Sequence, residues 1–352
     1  MNLNKIAGII LFVILFATHG RSQEKEKIDL PRVIITTDAN NAGGDPDDKQ
    51  SLLHLFWYST HLDIKAIIPD WWDGEGVEAT MQMIEGYEED YQNTEYNFQK
   101  RNYPSPDDFR QITERTPESA VDKIIEEAHA KDERPLWVLV WGQTKTIYDA
   151  LNKDPSIADK IRIITIATFR KLPHEDTCDA VNWNGKHNRD DLFYDQRFKN
   201  LWWLEIDWIY HAMFLGEEPK QMLEILNEYG KMGELMKEVV QPFWYARFFR
   251  LGDTPTVLYL IDPDNNTDDP TQGSWAGRFT RPFPDMHPNY YTGIDGGYEW
   301  DFENPCNTWY NGEKVYKARI NTLLEKRDEM YKQLLMHLDN LYNKSLKKNY
   351  KK

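Results

Sequence analysis

Apolar and polar positions along this chain fall into blocks that read as strand, loop and helix in turn. Arg32 to Thr37 (RVIITT) is β-branched and apolar, with Pro31 before it and an Asp/Asn/Gly cluster after it, and predicts a buried strand. Lys49 to Tyr58 predicts a helix with Leu52, Leu53, Leu55 and Phe56 on its apolar side, and Ile64 to Ile68 a second strand. Glu118 to Ala130 carries Ala120, Val121, Ile124, Ile125 and Ala128 at helical spacing. Leu136 to Val140 predicts a third strand ending at Trp141-Gly142, Thr144 to Leu151 a helix, and Ile161 to Ile166 a fourth strand. Strands alternating with helices imply an α/β fold with a mainly parallel sheet flanked by helices and a Rossmann-like core.

The second half is less regular. His174 to Arg197 is polar and reads as a long surface loop. Leu201 to Ile209 (LWWLEIDWI) reads as a strand or the start of a helix. Pro219 to Val240 predicts two helices broken near Gly230 to Gly233, and Thr256 to Ile261 a further strand. Asp262 to Pro305 is rich in Gly, Pro, Asp and aromatics and reads as a long loop or lid. Ile320, Leu323, Leu324, Tyr331, Leu334, Leu335, Leu338 and Leu341 fit one stripe of a closing helix, Lys314 to Asn343. No internal repeat and no linker divides residues 23–345, which are expected to form one domain.

Composition narrows the function. Acidic residues number 58 against 42 basic ones, a formal charge of −16, so no general basic field exists for nucleic acid. Two cysteines exclude a disulfide framework and a Cys-based zinc site. Lys5 precedes an apolar run, Ile6 to Ala17, of signal-peptide length. Residues 1–22 are therefore expected to be a signal peptide, with cleavage near Gly20 to Ser22; the alternative is an uncleaved membrane anchor. Its removal takes away Lys5, Arg21 and no acid, so the charge goes from −16 to −18. The mature protein is expected to be exported, periplasmic or secreted, without a stable membrane anchor. Export permits a Cys178–Cys306 bridge, although two buried thiols are the preferred expectation. Residues 346–352 form a basic tail.

The sharpest local signal is Thr37-Asp38, a loop, then Asp45-Pro46-Asp47-Asp48 at the start of a helix. Ligands bind at the carboxyl ends of strands in parallel sheets. Crowded carboxylates need a cation or a shared proton, and an all-oxygen set suits a hard ion such as Ca²⁺. The plainer reading is a solvated turn whose acids favour the helix N-terminus.

PRVIITTDANNAGGDPDDKQSL resembles the opening of the nucleoside hydrolase-like domain family, some members of which carry a cellulose-binding label. The resemblance continues through PLWVLVWGQTKTIYDAL (135–151), IRIITIATF (161–169), LGDTPTVLYLI (251–261) and GSWAGRF (273–279). It implies a nucleoside hydrolase-like fold and a Ca²⁺ site, with Mg²⁺ as the other ion, at which a metal-activated water attacks an anomeric carbon. Carried over by position, it implies that Asp38 binds metal and acts as general base, Asp48 and Asp253 are ligands, Asp47 orients the water, and Ala167 or Thr168 offers a backbone carbonyl. Departures from true nucleoside hydrolases are a longer loop between Asp38 and Asp47, Gly252 in place of a histidine, and no clear ribose-binding block.

Other candidates lie around this loop. Asn41, Trp71, Trp72, Trp275 and Arg278 are candidate substrate-binding residues, since indole faces suit sugar rings and guanidinium suits hydroxyls. Trp141, Trp183 and Trp300 also fall at strand ends or in loops, while Trp57, Trp137, Trp202, Trp203 and Trp208 read as core. His174, His187 and His287 are candidate proton donors, with surface placement as the plainer reading. Glu205 and Asp207 are candidate paired carboxylates. Asp262 to Asp268 imitates an EF-hand loop, but Thr267 and Gly273 occupy its sixth and twelfth positions, which rejects it. The expectation is an exported, metal-assisted hydrolase of a glycosidic bond in a glycan or glycoside. The alternatives are a non-catalytic carbohydrate-binding protein and a nucleoside N-ribohydrolase.

Overall fold

The computed structural model describes residues 30–41, 46–72, 75–166, 188–206, 208–244, 246–293 and 313–344. The signal peptide, the basic tail, Ala167, Thr168, His174, Cys178, Trp183, His187, Trp300, Cys306 and Asp207 lie outside these residues. Strands β1 (Arg32–Thr37), β2 (Asp63–Pro69), β3 (Leu136–Val140), β4 (Ile161–Ile166), β5 (Trp202–Ile206), β6 (Phe279–Thr280) and β7 (Tyr290–Gly293) form one sheet. Their order is β2-β1-β3-β4-β5-β7-β6. Every pairing is parallel except β6 with β7.

The continuous apolar runs follow from burial on both faces. Val33, Ile35, Leu139, Ile164 and Leu204 point into one core layer. That layer is closed by helices α1 (Asp47–Trp57), α2 (Glu75–Gln92), α7 (Glu218–Leu226), α8 (Gly230–Glu238), α9 (Pro255–Ile261) and α10 (Glu313–Leu341). Ile34, Val138, Ile163 and Trp203 point the other way, against α4 (Pro117–Ala128), α5 (Lys145–Lys153) and α6 (Arg189–Tyr194). The short α3 (Pro106–Gln111) packs beside α2. Trp57, Trp137 and Trp203 are core residues, as their positions predict.

Three sequence expectations change. Thr256 to Ile261 belongs to helix α9, not a strand. Its residues from Pro255 to Leu260 are all buried, so the run lacks the polar face that marks a helix in sequence, while Pro255 sits in the first turn, where its missing N–H costs nothing. Asp262 to Pro305 is not only loop, because it holds β6 and β7. The polar stretch His174 to Arg197 contains α6. Helix α2, which the apolar pattern around Thr80 and Gly86 left unmarked, buries Ala79, Met83, Ile84 and Tyr87 at helical spacing. Among the described residues, no helix is long and apolar enough to cross a membrane.

Strand order reverses at β1, with β2 on one side of it and β3 on the other. The crevice beyond the carboxyl ends of β1 and β3 is therefore the switch point where such sheets bind ligands.

Candidate metal centre

Three elements deliver carboxylates to that crevice. Thr37 ends β1 pointing toward α1, and its hydroxyl donates to Asp48 Oδ1. The Asp38 N–H donates to the same oxygen at 3.1 Å, and the Ala39 N–H returns to Thr37 Oγ1 at 3.2 Å. Asp47 and Asp48 occupy the first turn of α1, where the helix dipole favours negative charge. Asp253 comes from the turn before α9, and Ser51 of α1 donates to its Oδ2 at 3.2 Å. Asp47, Asp48 and Asp253 each present an oxygen within 4.8 Å of the other two, and all three are buried.

The turn carrying Asp253 is held from inside. Buried Gln50 donates to the Met236 carbonyl at 2.6 Å and accepts the Arg250 N–H at 2.6 Å. Leu251 adopts φ +45°, a left-handed conformation that costs a branched residue energy and that packing must enforce. Gly252 follows, and a Cβ there would fall 1.9 Å from Asp47 Oδ2. Glycine is thus what lets the Asp47 carboxylate sit against this backbone.

Two further carboxylates border the three. Asp38 is half-buried, and a Cβ on Gly142 would fall 2.7 Å from its Cβ. The same Cβ would lie 3.0 Å from Asp70 Oδ1, so Gly142 at the end of β3 separates two acids. Asp70 extends β2, with its N–H on the Thr37 carbonyl at 2.9 Å. Its carboxylate is buried with neither oxygen in a well-formed hydrogen bond. Asp70 was not among the sequence candidates, which at this strand end were Trp71 and Trp72. Its signal was an acid closing the strand beside β1.

Burial sets the electrostatics. It pushes the Asp38 carboxyl up to about 6, opposed by hydrogen bonding with Asp48 and aided by the charge of Asp47. Burial also raises Asp48 well above the usual carboxylate range, with the charges of Asp253 and Asp38 adding. Asp70 is raised well above it by burial and then by Asp38. On the other side, Arg250 Nε stands 3.5 Å from Asp47 Oδ2, with its guanidinium over the Phe214 ring at 4.9 Å. Arg250 is a second contributor that the sequence reading missed.

The remaining candidates scatter. Asp38 lies beside the three converging carboxylates, not among them. Trp71 and Trp72 are half-buried next to Asp70; the Trp71 carbonyl accepts the Gly76 N–H at 3.3 Å, and Trp72 packs on the second core layer. Asn41 is exposed and accepts from Lys49 Nζ at 2.7 Å. Trp275 is corrected from substrate platform to core residue. It is 5 % exposed, and its backbone N–H donates to Asp262 Oδ2 at 2.8 Å. Arg278 is exposed and meets Glu325 of α10 at 3.3 Å, beside β6, with four strands between β6 and β1. Glu205 is not a cleft carboxylate. Buried in β5, it receives Arg189 through Nε at 2.9 Å and Nη2 at 2.6 Å, and also the Tyr290 hydroxyl. His287 is buried against Phe193, ring centroids 4.2 Å apart. Trp141 is buried and donates to Thr256 Oγ1 at 2.7 Å, tying β3 to α9.

A family model described as cellulose-binding Sde182, nucleoside hydrolase-like domain, matches residues 32–279. The chain belongs to this family. The match runs from β1 to Phe279 and so contains Asp38, Asp47, Asp48, Asp70 and Asp253. Among solved structures, the chain is similar to a nucleoside hydrolase-related hypothetical protein from Saccharophagus degradans that is associated with carbohydrate metabolism. The TM-score is 0.60 at 19 % identity, over 89 % of this chain and 72 % of that one, which shows a shared fold. It is also similar to an inosine-uridine preferring nucleoside hydrolase from Bacillus anthracis (TM-score 0.45, 16 % identity, 82 % and 100 % covered). A purine-preferring ribonucleoside hydrolase from Gardnerella vaginalis is a further neighbour (0.47, 16 %, 84 % and 99 %). No curated protein matches the chain.

Proposed function

We propose that this chain is an exported hydrolase that cleaves a glycosidic bond of a glycan or glycoside, with a divalent cation held by Asp47, Asp48 and Asp253. The observation that carries the reading is the convergence of these three buried carboxylates at the switch point of the sheet. Buried like charges at this spacing repel, and a cation relieves that. The donors are all hard oxygens, which favours Ca²⁺, with Mg²⁺ as the other choice.

When bound, such an ion lowers the cost of deprotonating water and stabilises negative charge. The chain's own residues supply the rest. Asp38, poised near 6 and open on one side, is placed to accept a proton on its carboxylate. Asp70, buried and held toward its neutral form, keeps an uncharged acid beside Asp38 instead of a further negative charge. The surrounding acids favour the positive charge that develops on a sugar ring as its glycosidic bond breaks. Export is supported by the signal-like residues 1–22.

Calcium calorimetry on the purified protein, with Asp48→Ala and Asp253→Ala alongside, tests the site. Binding to the wild type that is abolished in both variants is expected, followed by release of reducing sugar from a glycan panel. Absence of binding at millimolar Ca²⁺ sinks the metal-assisted mechanism. A second reading, a carbohydrate-binding protein without catalysis, draws on the family's cellulose-binding description. It predicts glycan binding that survives Asp38→Asn with no product formed by the wild type. A nucleoside N-ribohydrolase is the weaker alternative, because the position before Asp253 is Gly252 and has no room for a side chain.

A further inference from the structure

Three carboxylates converge on the crevice, and the chain also sends a positive charge there. Arg250 lies in the turn that delivers Asp253, and its Nε stands 3.5 Å from Asp47 Oδ2. Both side chains are largely withdrawn from water, at 15 % and 7 % exposure. A charge pair in such surroundings is screened far less than one on the surface. Its place is fixed by packing. The Arg250 backbone N–H is held by Gln50 Oε1 at 2.6 Å. The guanidinium lies over the Phe214 ring at 4.9 Å, and Phe214 in turn stacks on Phe248 with centroids 5.7 Å apart. An aromatic face seats a desolvated guanidinium without cancelling its charge. The other two acids meet uncharged donors. Asp48 Oδ1 takes the Thr37 hydroxyl and the Asp38 N–H, and Asp253 Oδ2 takes the Ser51 hydroxyl. Such donors orient a carboxylate but add no net charge. His211 feels both members of the pair: burial and then the charge of Arg250 push its imidazole down to about 3, and Asp47 opposes them.

We infer that Arg250 is the built-in counter-cation of the acidic crevice: it holds Asp47 when no metal ion is bound, and it limits how tightly a divalent ion is captured. The second half rests on the cation site proposed above. The physical reason is charge balance. Asp47, Asp48 and Asp253 ionised together carry three negative charges, which one guanidinium and one divalent ion cancel. Without the guanidinium the same acids attract the ion more strongly. In the ion-free protein, Arg250 relieves part of the repulsion that buried acids impose on one another, so the crevice keeps its shape without metal. Arg250 acts through Asp47 and is a positioning residue.

A double-mutant cycle on the protein stripped of metal tests the pair. Arg250→Met is expected to lower the melting temperature by about 3 to 6 °C, and by less than half as much in the Asp47→Asn background. Additive losses overturn the inference. If Arg250→Met does not fold, Asp47→Asn alone decides. A melting temperature below wild type supports the pair, and one above it, as relief of repulsion among the acids would give, overturns it. Calcium calorimetry reads the second half. Arg250→Met should bind Ca²⁺ about tenfold tighter than wild type, and Arg250→Lys, which keeps the charge, should stay within about threefold of wild type. Unchanged or weaker binding in Arg250→Met overturns the inference, since a residue that only shapes the turn weakens the site when it is removed. Absence of Ca²⁺ binding in both proteins sinks the metal reading instead, and a coupled cycle then still supports Arg250 as the counter-ion of Asp47.

Discussion

At the scale of single residues, Asp70 and Gly252 determine most about the site. Asp70 is buried, and its carboxyl is raised well above the usual range. A carboxyl raised on folding adds stability that is complete below its unfolded value and is lost as pH rises through the folded one. Asp70→Asn is neutral at every pH. The metal-free variant should therefore melt above wild type at pH 8, by on the order of a few degrees, with the advantage closing toward pH 4. Thermal scans at both pH values check this; an advantage larger at pH 4 refutes it. Gly252 is constrained by sterics alone. Gly252→Ala places a methyl onto Asp47 Oδ2, so Asp47 or the turn must move. Calcium affinity is expected to fall at least tenfold while the far-UV spectrum stays unchanged. The need for glycine at 252 was not legible in the sequence, because it depends on a contact between residues that lie far apart in the chain.

Among the elements, α1 organises the site. Its first turn presents Asp47 and Asp48, Ser51 reaches Asp253, and Gln50 holds the turn that delivers it. Gln50 also binds the carbonyl of Met236 at the end of α8, so one side chain ties α1, α8 and the Asp253 turn together. Gln50→Leu keeps the volume but leaves the Met236 carbonyl and the Arg250 N–H without that partner. A destabilisation of about 2 to 4 kcal/mol is expected. Chemical denaturation measures it, and Gln50→Glu should recover less than half, since it restores the acceptor but not the donor. The far end of α1 meets α10 through histidines. His337 stacks on Tyr58 at 4.8 Å, and its Nε2 lies 2.7 Å from the Trp57 carbonyl. Strands β1 to β4 were readable in sequence because two-sided burial writes unbroken β-branched runs. Helix α9 was misread for the same reason, since a helix buried all round shows no polar face.

Across the whole molecule, two families of buried groups oppose each other in pH. Burial pushes His54 and His211 down to about 3 and His337 to about 4. Their contribution is present above 6.5 and is lost as pH falls toward those values. Burial pushes Asp38 and Asp90 up to about 6. Their contribution is present below 3.8 and is lost as pH rises through 6. Between about pH 4 and 6 the two terms act in opposite senses, so the melting temperature of the metal-free protein should change less across that window than either family alone would impose. On the proposed reading, Ca²⁺ held by Asp47, Asp48 and Asp253 would compete with protons for the acidic crevice and remove part of the carboxylate term. The stabilisation by Ca²⁺ is therefore expected to grow from pH 5 to pH 7.5, read as the shift in melting temperature at each pH. A shift that shrinks with rising pH would contradict carboxylate ligation.

The sequence alone determined the α/β class, the first four strands, and the placing of Asp38, Asp47 and Asp48 between β1 and α1. These are local consequences of hydrophobic period, turn residues and charge. The family blocks added Asp253 from far along the chain. Only the tertiary structure decided which acids converge. The reversal of strand order at β1 brings β2 and β3 to either side of it, and with them Asp70 and Gly142. It also sent Trp275 into the core and Arg278 to the opposite edge of the sheet. Neither outcome is a property of a residue's neighbours in sequence; both follow from which elements pack together, and that is settled by burial summed over the whole chain.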